Sequence, residues 1–283
     1  MIAELPAWAE ADIHTLKDFM SSLESLVDAV LVPDLPTGRI RKDSLLTISR
    51  IRSFSDVDII AGISSRHRSL EASVARLIAL WEMQVKSVYV VMGDPTPSSS
   101  SKSKAYNYAK ATQLIALAKD LTNNGKTMNL ILSEKVSEVP KFKVGSALLP
   151  SREDECTLLE KKVKAGTDYL ITQVMFDHGP LASFINSCGK RVNFENLPIF
   201  VSLPLVSKPS SLTKLESLDG VTLPAKMKKE LLSAESIESK SVELALETFS
   251  RCRELKIKKL GAYILPLPGS RMEVKLAEEL RKL

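Results

Sequence analysis

The 283-residue chain reads as an α/β protein folded into a single closed (β/α)8 barrel, and three observations carry that reading. Short apolar, β-branched runs recur along it, each followed by a longer segment with helical periodicity. Most of these runs are apolar at nearly every position, as parallel strands covered on both faces should be. Their number, eight, matches a barrel of about 250 residues. With no internal repeat and no linker, one domain over residues 1–283 is expected.

In chain order, the first three strands are expected at Ile2–Leu5, Asp28–Val32 and Asp58–Ile63. A helix follows, because Leu70, Val74, Leu77, Ile78 and Trp81 form one stripe and Ser69 can cap its free N–H groups. The fourth strand is Ser87–Met92, and the low-complexity stretch Pro95–Ser103 after it is a flexible loop or a flap over the barrel mouth. Met128–Leu132 is a ninth candidate, either an extra strand or part of a connection. The fifth strand is Lys143–Leu149; the next helix carries Leu158, Leu159, Lys162 and Val163 and ends near Gly166. Tyr169–Val174 and Ile199–Leu203 are strands six and seven. Pro224 opens a helix bearing Met227, Leu231 and Leu232, and Leu260–Leu265 is the last strand.

Composition excludes several classes. At 44% hydrophobic and 26% charged residues the chain can bury a large core, which rules out disorder and collagen-like structure. The charge of 39 − 34 = +5 is spread out, with small clusters at Arg39, Arg41, Lys42 and at Lys226, Lys228, Lys229. Aromatic residues, 5% of the chain, do not interleave with the basic ones, so no nucleic-acid platform is expected. Cys156, Cys188 and Cys252 are odd in number and far apart; they offer no CxxC and no disulfide framework, which suits a reducing compartment. His14, His67 and His178 are too scattered for a metal site. The first residues lack the basic and apolar regions of a signal peptide, and no run of eighteen apolar residues can span a bilayer. A cytoplasmic protein that touches no membrane is expected.

In such a barrel, polar residues at the carboxyl ends of strands face the active-site mouth. The ends carry Glu4 at the end of strand one, Asp34 after strand two, Ser64-Ser65-Arg66 after strand three, Gly93-Asp94 after strand four and Thr172-Gln173 in strand six, followed by Phe176-Asp177. Carboxylates, an amide and a glycine suit a polar heteroaromatic ligand, without choosing one.

A resemblance narrows the choice. Val90-Val91-Met92-Gly93-Asp94-Pro95 resembles the strand-four signature of the methylenetetrahydrofolate reductase family. Residues 162–177, KVKAGTDYLITQVMFD, are similar to that family's helix–strand-six signature, with its Thr-Gln and nearby Phe-Asp. Leu218–Pro224 resembles its Gly-Val-x-x-Pro entry into a later helix. The motifs occur in family order along nearly the whole chain, and the family fold is the same TIM barrel.

The resemblance implies an oxidoreductase of one-carbon metabolism that reduces the methylene group of a folate-type or modified-pterin carrier to methyl. Hydride would come from NADH or NADPH, through FAD in well-studied members. Glu4 matches the family's acid, which opens the substrate's five-membered ring to an iminium ion; otherwise it is a solvated glutamate. Asp94 matches the aspartate between flavin and pterin, with a turn residue before Pro95 as the alternative. Gln173 matches the glutamine that reads the pterin ring, and Phe176 either covers a planar ring or belongs to the core. Lys162 and Glu155 match basic and acidic cofactor contacts, and Gly93 and Ala147 could offer backbone donors to FAD. Arg66, with Asp34 and Arg39, resembles an archaeal-type subgroup; it is a phosphate or carboxylate fork or else a surface ion pair.

Several departures fall on the flavin side. Gly62-Ile63-Ser64-Ser65 stands where flavin-binding members carry His and Thr, Met92 replaces an arginine, and Leu149 replaces a tyrosine. The loop from Pro150 to Glu155 is shorter than theirs, and no aromatic stands near Lys208. The reductase reading therefore divides between FAD bound through other contacts and direct hydride transfer from NADH. Two rival readings are a non-catalytic pterin- or flavin-binding scaffold and a subunit fed by an iron–sulfur partner on another chain. Homo-oligomers are compatible with either.

Overall fold

The computed structural model describes residues 1–38, 40–66, 68–94, 109–124, 140–255, 257–266 and 271–283. Eight strands close a barrel in chain order: β1 (Ile2–Glu4), β2 (Ala29–Val32), β3 (Asp58–Ser64), β4 (Ser87–Val91), β5 (Lys143–Leu148), β6 (Tyr169–Val174), β7 (Ile199–Pro204) and β8 (Leu260–Leu265). β8 returns to pair with β1 in parallel, Ile2 opposite Tyr263. The helices between them are α1 (Ile13–Leu23), α2 (Ser44–Arg52), α3 (Leu70–Glu82), α4 (Ala111–Asn124), α5 (Glu155–Ala165) and α6 (Gly179–Cys188). They continue with α7 (Pro209–Glu216), α8 (Ala225–Ser233), α9 (Ile237–Arg253) and α10 (Met272–Leu280). This is the (β/α)8 barrel expected from the run of apolar strands. The loop Pro95–Ser103, the extra strand candidate Met128–Leu132, Arg39 and His67 lie outside the described residues.

Packing divides the chain into two compact units, Met1–Val30 with Leu148–Glu160 and Leu170–Leu283, and Leu31–Ala147 with Lys161–Tyr169. In the first, β7 and β8 run in register from Ile199 opposite Leu260 to Pro204 opposite Leu265. Between β6 and β7 the register shifts after Ile171, and side chains fill the interrupted ladder. Thr172 Oγ1 accepts from the Ser202 N–H at 2.9 Å, and Ser202 Oγ donates to the Thr172 carbonyl at 2.6 Å. A core cluster of Val174, Phe176, Val206, Leu212, Leu231 and Leu244 lies under α7 to α9. Of the apolar positions expected along α8, Met227 and Leu231 join this cluster, whereas Leu232 is 50% exposed.

One expectation is corrected in this unit. Cys156, in the first turn of α5, and Cys188, at the end of α6, form a disulfide, leaving Cys252 as a buried free thiol. The two cysteines are 32 residues apart in sequence, but α5 and α6 precede and follow the same strand, and their Cα atoms stand 5.7 Å apart. That proximity is tertiary and leaves no local spacing signature.

In the second unit, α3 forms as its periodicity demands. Ser69 Oγ accepts from the Ala72 N–H at 3.2 Å, and Val74, Leu77 and Leu80 are buried. Each such leucine contributes roughly 2 kcal/mol on leaving water. Gly145 of β5 exists to admit Tyr169, since a Cβ there would overlap the phenol ring. The buried Tyr169 hydroxyl donates to the Val88 carbonyl at 3.1 Å, and burial raises its pKa well above the ordinary value. α5 ends at Gly166, whose φ of +101° is a left-handed cap that side-chained residues rarely adopt. No helix among the described residues is long and apolar enough to cross a membrane.

Candidate active site

Glu4 is the last residue of β1 and is half-buried. Its carboxylate accepts a hydrogen bond from the hydroxyl of Tyr263, a buried residue of β8. The parallel pairing sets Tyr263 opposite Ile2, so Glu4 lies two residues further along the same face of β1. A tyrosine inside a buried strand must find a partner for its hydroxyl. That rule could have pointed to Tyr263 as the partner of Glu4, which a reading of this strand's apolar character alone misses.

Gln173 lies in β6, one residue before its end. Its side-chain carbonyl accepts from the Val174 N–H at 2.8 Å, and its amide nitrogen donates to the Asp219 carbonyl at 2.8 Å. Asp219 belongs to the loop after α7, where Gly220 takes a φ of +76°. The Asp219 carboxylate meets the Arg152 guanidinium at 3.4 Å, and Arg152 also pairs with Glu155 at 3.2 Å. A cavity of about 10 Å³, enough for about one water, lies at Gln173, with Phe176, Gly220 and Thr222 in its wall. Phe176 itself is 5% exposed, packed in the α7–α9 core, and its carbonyl accepts from Thr248 Oγ1. It is thus packed in the core and also borders the cavity at Gln173.

Asp94 follows β4 and is exposed. Before it, Gly93 has a φ of +83°, and a Cβ there would overlap Ser64 Oγ. Arg66 Nε donates to the Gly93 carbonyl at 2.9 Å. Asp34 is buried: it receives both terminal nitrogens of Arg68 and the Ser64 N–H at 2.9 Å. This pair of a buried carboxylate with a half-buried guanidinium shapes the end of β3.

Two of the residues expected to hold FAD, Lys162 and Glu155, are engaged within the protein. Lys162, 9% exposed, donates from Nζ to the Ala147 carbonyl at 2.6 Å. Glu155 is 0% exposed and paired with Arg152. A group that binds a cofactor must be reachable when the cofactor arrives, and neither side chain is. As placed, these two side chains do not fit the flavin role, and Met92 and Leu149 stand where flavin-binding members carry an arginine and a tyrosine. Nor is any group of three His, Cys, Asp or Glu among them arranged to hold a metal ion.

A closed barrel of eight strands in chain order defines the class, a (β/α)8-barrel protein. More narrowly, the chain belongs to the methylenetetrahydrofolate reductase family, whose pattern it matches over residues 9–274. No curated protein matches its sequence. Among solved structures it is similar to an uncharacterized protein from Clostridium thermocellum that binds two copies of 5-methyl-5,6,7,8-tetrahydrofolic acid. That likeness has a TM-score of 0.71 and 16% identity, over 99% of this chain and 94% of that one. It is also similar to the EDTA monooxygenase of Chelativorans sp. BNC1, with a TM-score of 0.57 and 10% identity, over 99% and 93% of the chains. At these identities the likeness speaks for the fold.

Proposed function

We propose that the protein reduces the methylene group of a folate-type one-carbon carrier to methyl, with hydride passing directly from NADH or NADPH to the carrier. The observation that carries this reading is the Glu4–Tyr263 pair, a carboxyl group held in one orientation at the strand-end position of the family's acid. Support for the carrier comes from the family match and from the Clostridium thermocellum protein, whose ligand is the methyl product of such a reaction.

The chemistry balances as follows. Glu4 gives a proton to the bridge nitrogen that leaves the methylene carbon, and the five-membered ring opens to an iminium cation. The dihydronicotinamide then delivers two electrons and one hydrogen to that carbon, yielding methyl carrier and oxidised nicotinamide. A proton from solvent restores Glu4. Tyr263 keeps the carboxyl aimed through the cycle, which is worth most where the reacting atoms must be held closely. Asp94, as a carboxylate at the end of β4, accepts N–H bonds of the pterin ring and favours the cationic intermediate. Gln173 reads a ring edge that both donates and accepts, using the second lone pair and second N–H that its bonds to Val174 and Asp219 leave open. No step is assigned to a flavin, because Lys162 and Glu155 are spent on Ala147 and Arg152.

The test is NADH or NADPH oxidation with 5,10-methylenetetrahydrofolate, combined with the absorption spectrum of the purified protein. Turnover by a colourless preparation, lost in Glu4→Gln, is the expected result. Flavin absorption that copurifies and is required for turnover would overturn direct transfer. Absence of turnover with either nucleotide, with or without added FAD, would overturn the reductase reading.

A further inference from the structure

We infer that Arg66 is a positioning residue for Asp94, acting through the peptide that joins Gly93 to it. The inference rests on the pterin-contact role proposed above for Asp94. The β3–β4 ladder formally ends at Ser64 opposite Val91, yet the pairing continues beyond it. The Ser65 N–H donates to the Val91 carbonyl and the Arg66 N–H to the Met92 carbonyl, both at 3.0 Å. Arg66 Nε then takes the next carbonyl, that of Gly93, at 2.9 Å. Three successive carbonyls leading to Asp94 are thus held by one short segment after β3.

The last of these bonds matters most. A peptide unit is planar, so fixing the Gly93 carbonyl fixes the Asp94 nitrogen and Cα as well. The close approach needs glycine: at a φ of +83°, a Cβ on residue 93 would overlap Ser64 Oγ and come within 3.4 Å of Arg66 Cβ. The segment that does the holding is itself anchored. The Ser64 N–H is bound by Asp34 at 2.9 Å, and the Ser64 carbonyl accepts from Arg68 at 3.2 Å. Asp94 is exposed, and where its Cα stands decides which groups its carboxylate can reach. Arginine suits the task because its Nε–H has a fixed direction in a planar group, whereas a lysine ammonium is a rotating point charge.

The experiment is calorimetric titration with 5-methyltetrahydrofolate, and separately with NADH, of the wild type, Asp94→Asn, Arg66→Ala, Arg66→Lys and the double variant Arg66→Ala/Asp94→Asn. Loss of a hydrogen bond to a charged group weakens binding about tenfold, which is the loss expected for Asp94→Asn. Arg66→Ala is expected to lose a similar factor, Arg66→Lys to fail to rescue it, and the double variant to bind no worse than Asp94→Asn alone. NADH affinity should be unchanged throughout, a result a general structural defect would not give. If Arg66→Ala does not fold, Arg66→Gln takes its place in the cycle. Weakened NADH binding with intact folate binding would overturn the inference in favour of a phosphate fork. So would losses that multiply in the double variant, or a silent Arg66→Ala beside an effective Asp94→Asn. A silent Asp94→Asn, or a wild type that binds no folate, would overturn the role of Asp94 itself and the inference with it.

Discussion

Breaking the Cys156–Cys188 disulfide is expected to cost the protein a calculable part of its stability. The bond closes a loop of about 33 residues in the unfolded chain, and the loop-entropy relation gives roughly 3.5–4 kcal/mol at 25 °C for that length. An unfolding entropy of about 2.1 cal/mol/K per residue gives roughly 0.6 kcal/mol/K for this chain, so the melting temperature should fall by about 6 °C. The perturbation is Cys156→Ser, chosen because Cys156 is half-exposed whereas Cys188 is fully buried. Differential scanning calorimetry of the wild type with and without a dithiol reductant should give the same drop as the variant without it. Thiol titration supplies the control. Burial pushes the Cys252 thiol up to about 12, so it should react only after denaturation. Denatured wild type should then show one thiol before reduction and three after, since Cys252 alone is free. Three thiols without reductant, or a melting temperature indifferent to reductant, would refute the reasoning.

Four further outcomes are expected. Tyr263→Phe should lower kcat about tenfold through loss of one hydrogen bond to a carboxylate, with the KM for NADH unchanged in the oxidation assay. Gly93→Ala should cost about 1–3 kcal/mol, combining a left-handed φ with overlap on Ser64 Oγ; urea unfolding should show part of that recovered in Gly93→Ala/Ser64→Ala. Asp34→Asn leaves Arg68 without its carboxylate in a largely buried place and should lose about 3–5 kcal/mol by the same measurement. Burial raises the Glu273 pKa above 4.5, and one of its oxygens has no hydrogen-bond partner. Ionising Glu273 therefore opposes folding as pH rises through the unfolded value near 4.5, so Glu273→Gln should be more stable than wild type at pH 7. The difference should vanish below about pH 4, and melts at both pH values check it.

The barrel was legible in the sequence because parallel strands under helices carry their signal at every position. β6 and β8 match their expected bounds, and β1 stops one residue short because Leu5 is buried without extending the pairing. β3 and β7 each run one residue further than expected, through Ser64 and Pro204, residues whose types argue against a strand. Ser64 is held by Asp34, thirty residues earlier in the chain, a tertiary bond that no local pattern announces. The candidate site residues are picked out by type and strand-end position, but their partners are not. Tyr263 for Glu4, Asp219 for Gln173 and Gly93 for Arg66 all come from distant parts of the chain. For Lys162 and Glu155 the residue types suggest a cofactor contact, and only the fold shows that each is buried and has an internal partner.

The bonds that Gln173 makes to Val174 and Asp219 hold its amide in place for any molecule that recruits it. Each bond uses half of what its atom can do, one lone pair of the carbonyl and one N–H of the amide, so a second acceptor site and a second donor stay open in a plane the chain has already fixed. A molecule that offers a donor and an acceptor at that spacing adds to these bonds and displaces neither. Selectivity at this strand end then comes from a plane set in advance by Val174 and Asp219.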